Sequence, residues 1–280
     1  MPDVASSAAT TDATLRERYG GEVPVGIRSG VGSDDVLALL YRHRSVRRFT
    51  DEPVDDATVT AIVAAAQSAA TSSNLQAWSV IEVREPARVD AIARLSGDQQ
   101  FIRDAGVFLV FVADWARARH LAADRSAPAD AVDYLESTLV GFVDAALAAQ
   151  NAVIAAESLG LGTVYVGSVR NAPQQVAELL ALPSGAFPVV GLGIGHPDPA
   201  DAAGIKPRLP QSVVRHRERY RPVESAEVER YDEAVRAYYR TQQQDRGWLQ
   251  GVLARVRDRS GLHGRHTMRA ALRRRGLASR

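Results

Sequence analysis

The chain has 280 residues, 46% of them hydrophobic and 24% charged, with a net charge of only +1. That length supports one large or two small globular domains with a full core, and the lack of cysteine excludes disulfides, thiolate metal sites and a cysteine nucleophile. Charge is uneven: residues 1–205 carry 15 basic and 25 acidic groups, residues 206–280 carry 19 and 8, so the C-terminal part suits a phosphate-bearing ligand or offsets the acidic half.

Residues 1–32 are rich in Ala, Ser, Thr and Gly with little apolar periodicity, and read as a loosely ordered arm. They lack the basic start and apolar core of a secretory signal, and no uninterrupted apolar run reaches membrane-spanning length, so a cytoplasmic location without membrane contact is expected. Ser33 is placed to N-cap a helix through "DDVLALLYRHRS", whose apolar face is Val36, Leu39 and Leu40 and whose arginines suit a helix C-terminus. "DDATVTAIVAAAQSAA" predicts a second helix, stopped by "TSSN", whose short polar side chains compete for backbone hydrogen bonds. "WSVIEV" predicts a strand and the continuously apolar "GVFLVFVAD" a more deeply buried one. Residues 131–159 predict a long central helix, apolar on more than one face, ended by Gly160 and Gly162. "GTVYVGS" and "FPVVGLGIG" follow as buried strands with a helix near "APQQVAELLAL" between them. After Pro197 come Pro, Gly and Asp, then arginine-rich helical segments. Few strands and many helices, not strictly alternating, give an α+β class.

Three segments could carry chemistry. "RHRSVRRF" sets His43, Arg44, Ser45, Arg47 and Arg48 at a helix exit, where they form either a solvated basic helix end or an anion cradle of alternating hydroxyl and cationic donors. "TSSNLQAW" offers hydroxyls and amides between a helix and a strand, as turn chemistry or as a ligand loop. "GLGTVYVGS" ends at Gly167, where a backbone can approach a flat ligand. "GLGIGHP" is not a dinucleotide fingerprint, because His196-Pro197 rather than a helix follows the glycines. The six histidines lack metal-ligand spacing, and no G-x-S-x-G elbow is present. Lys206 is the single lysine among 34 basic side chains, a compact rotatable ammonium among planar guanidinium groups. With anion and flat-ligand elements but no nucleophile, the chain reads as an enzyme whose cofactor carries the chemistry.

The ordered series "HRSVRRFTDEPV", "ATSSNLQAWSVI", "SGDQQFI", "AQNAVIAAESLGLGTVYVGSVRN", "GLGIGHP" and "KPRLP" resembles the oxygen-insensitive, FMN-dependent nitroreductase family, in its larger NADPH-linked branch that includes flavin reductases. The resemblance spans residues 33–222. It implies a mostly antiparallel central sheet surrounded by helices, with a helical C-terminal excursion, and a homodimer that binds FMN at the subunit interface. Residues 1–32 would be the arm, 33–200 the FMN-binding core, and 201–280 the phosphate-binding segment and basic excursion. By the same resemblance, Lys206 and Arg208 would join His43, Arg44 and Ser45 at the FMN phosphate, and Arg47 would lie against the N1 and O2 edge of the ring. Gln99 would bond its pyrimidine side, Thr71, Ser72 and Ser73 would line the ring or ribityl chain, and Tyr165, Val166, Gly167 and Ser168 would cover one face, with the Gly167 N–H toward N5. Arg47 and Gly167 are thus the expected catalytic positions, and no metal is implied.

NADPH is expected to pass hydride to the flavin and a small nitroaromatic, quinone or free flavin to take it up in turn. "YYRTQQQDRGW" departs from the branch's paired arginines, which leaves Arg240 and Arg246 as the candidates for the NADPH phosphate and NADH as a possible donor. Two other readings stand beside this one. The first is a nucleic-acid-binding or regulatory protein using "RHRERYR" and "ALRRRGLASR", against which stand the near-zero net charge and the lack of interleaved aromatics. The second is a dehalogenase or flavin-degrading enzyme on the same fold.

Overall fold

The structure, a computed structural model, describes residues 13–21, 36–278 and 280. In chain order the elements are α1 (13–19), α2 (Val36–Arg42), α3 (Asp56–Gln67), β1 (Trp78–Val83), α4 (Pro86–Leu95), α5 (Gln100–Arg103) and β2 (Val107–Asp114). Then follow α6 (Ala116–Ala123), α7 (Leu135–Ser158), β3 (Gly162–Val166), α8 (Pro173–Leu179) and β4 (Ala186–Gly195). The C-terminal part adds α9 (Gln211–Val214), α10 (Ser225–Thr241), α11 (Trp248–Val256) and α12 (Met268–Arg274). The chain divides into two compact units: the described residues up to Arg44 with Ala202–Leu262, and Ser45–Asp201 with residues 263–280.

The second unit is built on a four-stranded sheet in the order β1-β2-β4-β3, antiparallel throughout. β2 is apolar at every position but its last because both of its faces are covered. Leu109 and Phe111 point into a core with Val59 and Ile62 of α3 and the alanines of α7. Phe108, Val110 and Val112 point into an opposite core with Ile92 of α4, Ile102 of α5 and Ala177 of α8. Gly191 is in β4 because a Cβ there would lie 2.4 Å from Phe108 Cζ. The four strands fall within a residue or two of the segments expected from branched and apolar runs.

α7 departs from its sequence expectation in which residues it buries. Ala145, Ala148, Ala149, Ala152 and Ala156 face the core, and Gly141 lets the helix approach so closely that a Cβ would sit 3.0 Å from Ala113 Cβ. The larger Leu135, Leu139, Val143 and Leu147 stay 54%, 51%, 56% and 43% exposed. Small residues win the inner face because backbone approach, rather than side-chain bulk, fills that layer. A third core joins Trp115, Phe187 and Val132 to Ala271 and Leu277 of the C-terminal segment. There the Arg275 guanidinium is buried and donates to the carbonyls of Ala186 (3.2 Å), Leu182 (2.5 Å) and Pro183. Arg275 of "ALRRRGLASR" is therefore committed to its own fold, and Arg280 reaches Asp130 at 3.5 Å.

In the first unit, α10 gathers the segment that precedes it. Tyr231 Oη donates to Pro207 O (3.2 Å), Tyr238 Oη to Gly204 O (3.2 Å) and Gln242 to Ala202 O (2.8 Å). α11 turns back on α10 through the edge-on Tyr231–Trp248 pair, centroids 5.3 Å apart. Two expectations are corrected. Residues 13–19 of the presumed arm are helical, with Leu15 and Arg18 buried, because an apolar and a long cationic side chain both find partners in this unit. On α2, Leu39 and Ala38 are buried whereas Val36 and Leu40 are exposed, so its inward stripe is narrower than the apolar face read from the sequence. The Ser33 cap lies outside the described residues.

Candidate active site

In the second unit the "SVRRF" stretch is laced to the start of β3 and the end of β4. Ser45 bridges to Thr163, Val46 N donates to Thr163 O at 2.9 Å, and Thr50 N donates to His196 O at 2.9 Å. Gly162 makes room for this, since a Cβ there would lie 2.8 Å from Val46 Cβ. Arg48 pairs with Asp198 at 3.0 Å. Arg47 is exposed and stands over the Phe101 ring, Cζ to centroid 5.7 Å. Phe101 belongs to α5, whose N-cap residue is Gln99. The Gln99 carboxamide donates to Ser96 O and to Ser168 Oγ, both at 2.6 Å, which leaves its oxygen as the acceptor it can offer a ligand. Three distant stretches of sequence thus meet along β3: Ser45 at Thr163 near its start, Arg47 over Phe101, and Gln99 on Ser168 just past its end.

Gly167 opens the short 3₁₀ turn after β3. A Cβ at Gly167 would meet only the Arg170 guanidinium, at 3.5 Å, an ordinary contact, and its φ is not in the left-handed region. Neither a turn nor internal packing demands glycine there, unlike at Gly162 and Gly191. Tyr165 is 38% exposed, and desolvation, helped by the Glu157 charge, raises its phenol above the usual range, so it stays protonated. Thr71, Ser72 and Ser73 begin a loop in which Ser73, Asn74 and Gln76 take positive φ of 49°, 56° and 50°. The buried Asp144 of α7 holds this loop, accepting from Ser72 N and Ala77 N, each at 3.0 Å.

His43, Arg44, Lys206 and Arg208 belong to the first unit. Arg18 of α1, 6% exposed, donates Nη1 to Lys206 O (3.1 Å) and Nη2 to Tyr41 O (3.0 Å) and His43 O. Arg208 N returns a bond to Arg18 O at 2.8 Å. The His43–Arg44 and Lys206–Arg208 backbones are thus drawn together, and the Arg44 Nε is buried with no hydrogen-bond partner in the protein, a donor that an anion would satisfy. In the same unit Arg240 lies in the last turn of α10, exposed, and Arg246 stands 5.4 Å over the Tyr239 ring, which Lys206 Nζ approaches to 5.8 Å. Arg246 also lines an open groove of about 510 Å³ with Gln244, Asp245, Gln250, Gly251 and Ala254.

Sequence reasoning missed Arg18 and Asp144. Asp144 had a signal, the one carboxylate between the two end turns of an alanine-rich apolar helix. Arg18 had none, because its partners are backbone carbonyls remote in sequence. No group of His, Asp or Glu able to hold a metal occurs among the described residues.

The family model described as "Nitroreductase family" matches residues 40–196, and that described as "Nitroreductase family, C-terminal domain" matches residues 206–280. The chain belongs to the nitroreductase family. It is 44% identical over 205 residues to the oxygen-insensitive NADPH nitroreductase of Salmonella typhimurium, covering 73% of this chain and 82% of that one. It is 43% identical to the FMN reductase [NAD(P)H] of Bacillus subtilis, with 78% and 90% covered. Among solved structures, B. megaterium NfrA2 aligns with a TM-score of 0.82 at 40% identity, over 86% of this chain and 97% of that one. The NADPH:FMN oxidoreductase from Vibrio harveyi, complexed with NAD+, aligns at 0.78 and 35%, over 88% and 99%. This nitroreductase is therefore an oxidoreductase, and its antiparallel sheet with a helical C-terminal region is the family's fold. Its residues fit the parts of a flavin nucleotide, each unit taken by itself: in the first, the buried Arg44 Nε is a donor without a partner that suits an anion, and in the second, Gly167, the Gln99 carboxamide oxygen and Arg47 are groups that suit a flat ring.

Proposed function

We propose that this nitroreductase is an NADPH-dependent FMN oxidoreductase, active as a homodimer, that reduces nitroaromatics, quinones or free flavin by two electrons. The observation that carries the reading is Gly167: its missing side chain serves no turn and no internal contact, which leaves close approach by a planar ligand as its use. FMN, when bound, supplies the hydride chemistry between nicotinamide and acceptor. The chain's own residues then have distinct work. Lys206, Arg208, His43, Arg44 and Ser45 bind the phosphate through charge-assisted bonds. Gln99 accepts from the pyrimidine edge, Thr71–Ser73 line the ring or ribityl chain, Tyr165–Ser168 cover one face, and the Gly167 N–H is assigned to N5. Arg47 would hold a preorganised cation at the pyrimidine edge, as oxyanion donors do elsewhere, to favour the reduced flavin.

The homodimer is supported by the exposed Leu135, Leu139, Val143 and Leu147 along α7, an aliphatic strip of the kind that marks a protein interface. Arg240 and Arg246 are assigned to the NADPH phosphate. Because donor and acceptor would use one site in turn, double-reciprocal plots with NADPH and a quinone should be parallel; intersecting lines would point to a ternary complex instead. The decisive test is simpler. The purified protein should be yellow, release FMN on denaturation and reduce a quinone at the expense of NADPH, whereas a colourless protein that FMN cannot reconstitute would overturn the proposal.

A further inference from the structure

The matched family stretches begin at residues 40 and 206, so α1 lies outside both, yet its Arg18 bonds to the beginning of each. Arg18 makes three donations to backbone carbonyls, at Lys206, Tyr41 and His43, and its own carbonyl takes the Arg208 N–H. Tyr41 and His43 stand at the exit of α2, and Lys206 and Arg208 stand more than 160 positions later in the chain. One side chain therefore bridges the two cationic segments through their backbone carbonyls.

The type of residue matters. A guanidinium presents five N–H donors in a rigid planar fork, and can serve carbonyls on two separate chain segments at once; an ammonium is a single rotatable point that cannot hold the same spread. The placement of α1 is also fixed. Leu15 is 1% exposed, and Gly20, at φ 69°, ends the helix so close to α10 that a Cβ would sit 2.9 Å from Ala234 Cβ. α1 is thus packed down on the first unit, with Arg18 delivered from it.

We infer that Arg18 is a positioning residue for flavin-phosphate binding: it holds the His43–Arg44 and Lys206–Arg208 backbones at a set separation, so that their cationic side chains converge before the ligand arrives. A site ordered by folding binds more tightly than one the ligand must order. The inference rests on the assignment of the phosphate to Lys206 and Arg208 made above.

Riboflavin is the discriminating probe, since it keeps the ring and the ribityl chain and lacks the phosphate. FMN and riboflavin affinities are measured by flavin fluorescence quenching on the full-length apoprotein of the wild type, Arg18→Ala, Arg18→Lys and Lys206→Ala, with the apoprotein melting temperature as the check on folding. Arg18→Ala should weaken FMN about tenfold or more and leave riboflavin within about twofold, with Arg18→Lys intermediate for FMN. If Arg18→Ala does not fold, Arg18→Lys carries the same comparison. Equal losses for both flavins, or no loss for FMN, beside a phosphate-selective loss in Lys206→Ala, would overturn the role of Arg18 and leave the phosphate assignment standing. No selectivity in Lys206→Ala would overturn the phosphate assignment itself, and this inference with it.

Discussion

Asp144 Oδ2 accepts a hydrogen bond from Ala77 N at 3.0 Å, and its other oxygen accepts from Ser72 N at the same distance. Between those two anchor points Ser73, Asn74 and Gln76 sit in the left-handed region, each at a cost of about 1–2 kcal/mol. The buried carboxylate offsets that strain from the central helix. In Asp144→Asn one oxygen becomes an amide donor facing a backbone donor. The expected outcome is a loss of about 1–3 kcal/mol of stability, read by urea denaturation, with weaker FMN binding. Unchanged stability together with unchanged FMN affinity would show that the loop closes without Asp144.

Much of the fold was legible because it is written locally. β2 and β4 announce themselves by unbroken branched and apolar runs, and the end of α7 by the glycine at 160. What was not legible is set by distant partners. Leu135 and Leu139 look like core residues and are exposed, because the inner face of α7 is chosen by how closely its alanines let it approach the sheet. Of the candidate site, Ser45, Arg47 and Gly167 stood out by residue type, and Gln99 only through the family resemblance. Arg18 could not, since an arginine that serves backbone carbonyls leaves no pattern in the residues around it.

Arg47 is exposed over Phe101, free of the ion pair that occupies its neighbour Arg48. A cation stacked on a ring and held in place can meet charge that appears only on reduction. Arg47→Ala should therefore lower kcat with a quinone acceptor by about 10–100-fold, the equivalent of one charged hydrogen bond, while FMN affinity falls much less. Stopped-flow measurement of flavin reduction checks it. Equal losses in rate and affinity would make Arg47 a binding residue only.

Asp232 links α10 to α11, accepting from Leu249 N at 2.7 Å and from Arg236 Nε at 2.8 Å. Burial acts to raise its pKa, but the Leu249 N–H and the Arg236 guanidinium outweigh it, so the carboxyl lies below its ordinary value of 3.8. A lowered folded-state pKa contributes stability that is present above the ordinary value and is lost as pH falls through the lower one. Wild type and Asp232→Asn should thus differ most at neutral pH, by about 1–3 kcal/mol, and converge only as pH falls from the ordinary value of 3.8 through the lower folded-state one. Urea denaturation at pH 7, 4.5 and 3 reads this directly. A gap independent of pH would exclude the charge of Asp232 as its source.

Arg246 and Lys206 approach the same Tyr239 ring, at 5.4 Å and 5.8 Å from its centroid. An arginine held over a tyrosine ring and exposed beside it retains N–H donors, which suits a phosphate grip at the groove it lines. Asp245 borders the same groove, with Arg236 at 3.8 Å offsetting its charge. The adenosine 2′-phosphate is a dianion that must leave after hydride transfer, so exposed contacts at Arg246 and Arg240 fit it better than a buried site. The expected outcome is a higher kcat/KM for NADPH than for NADH, with the gap narrowing as ionic strength rises, because exposed charges are screened within about 10 Å at 0.1 M salt. Arg246→Ala should lower kcat/KM for NADPH by about tenfold, the lower end of a charged hydrogen bond, and leave NADH nearly unchanged. Equal use of both nicotinamides at low salt, or a preference that survives loss of both arginines, would remove Arg240 and Arg246 from the nicotinamide site and return the charge excess after residue 205 to the role of a solvated surface.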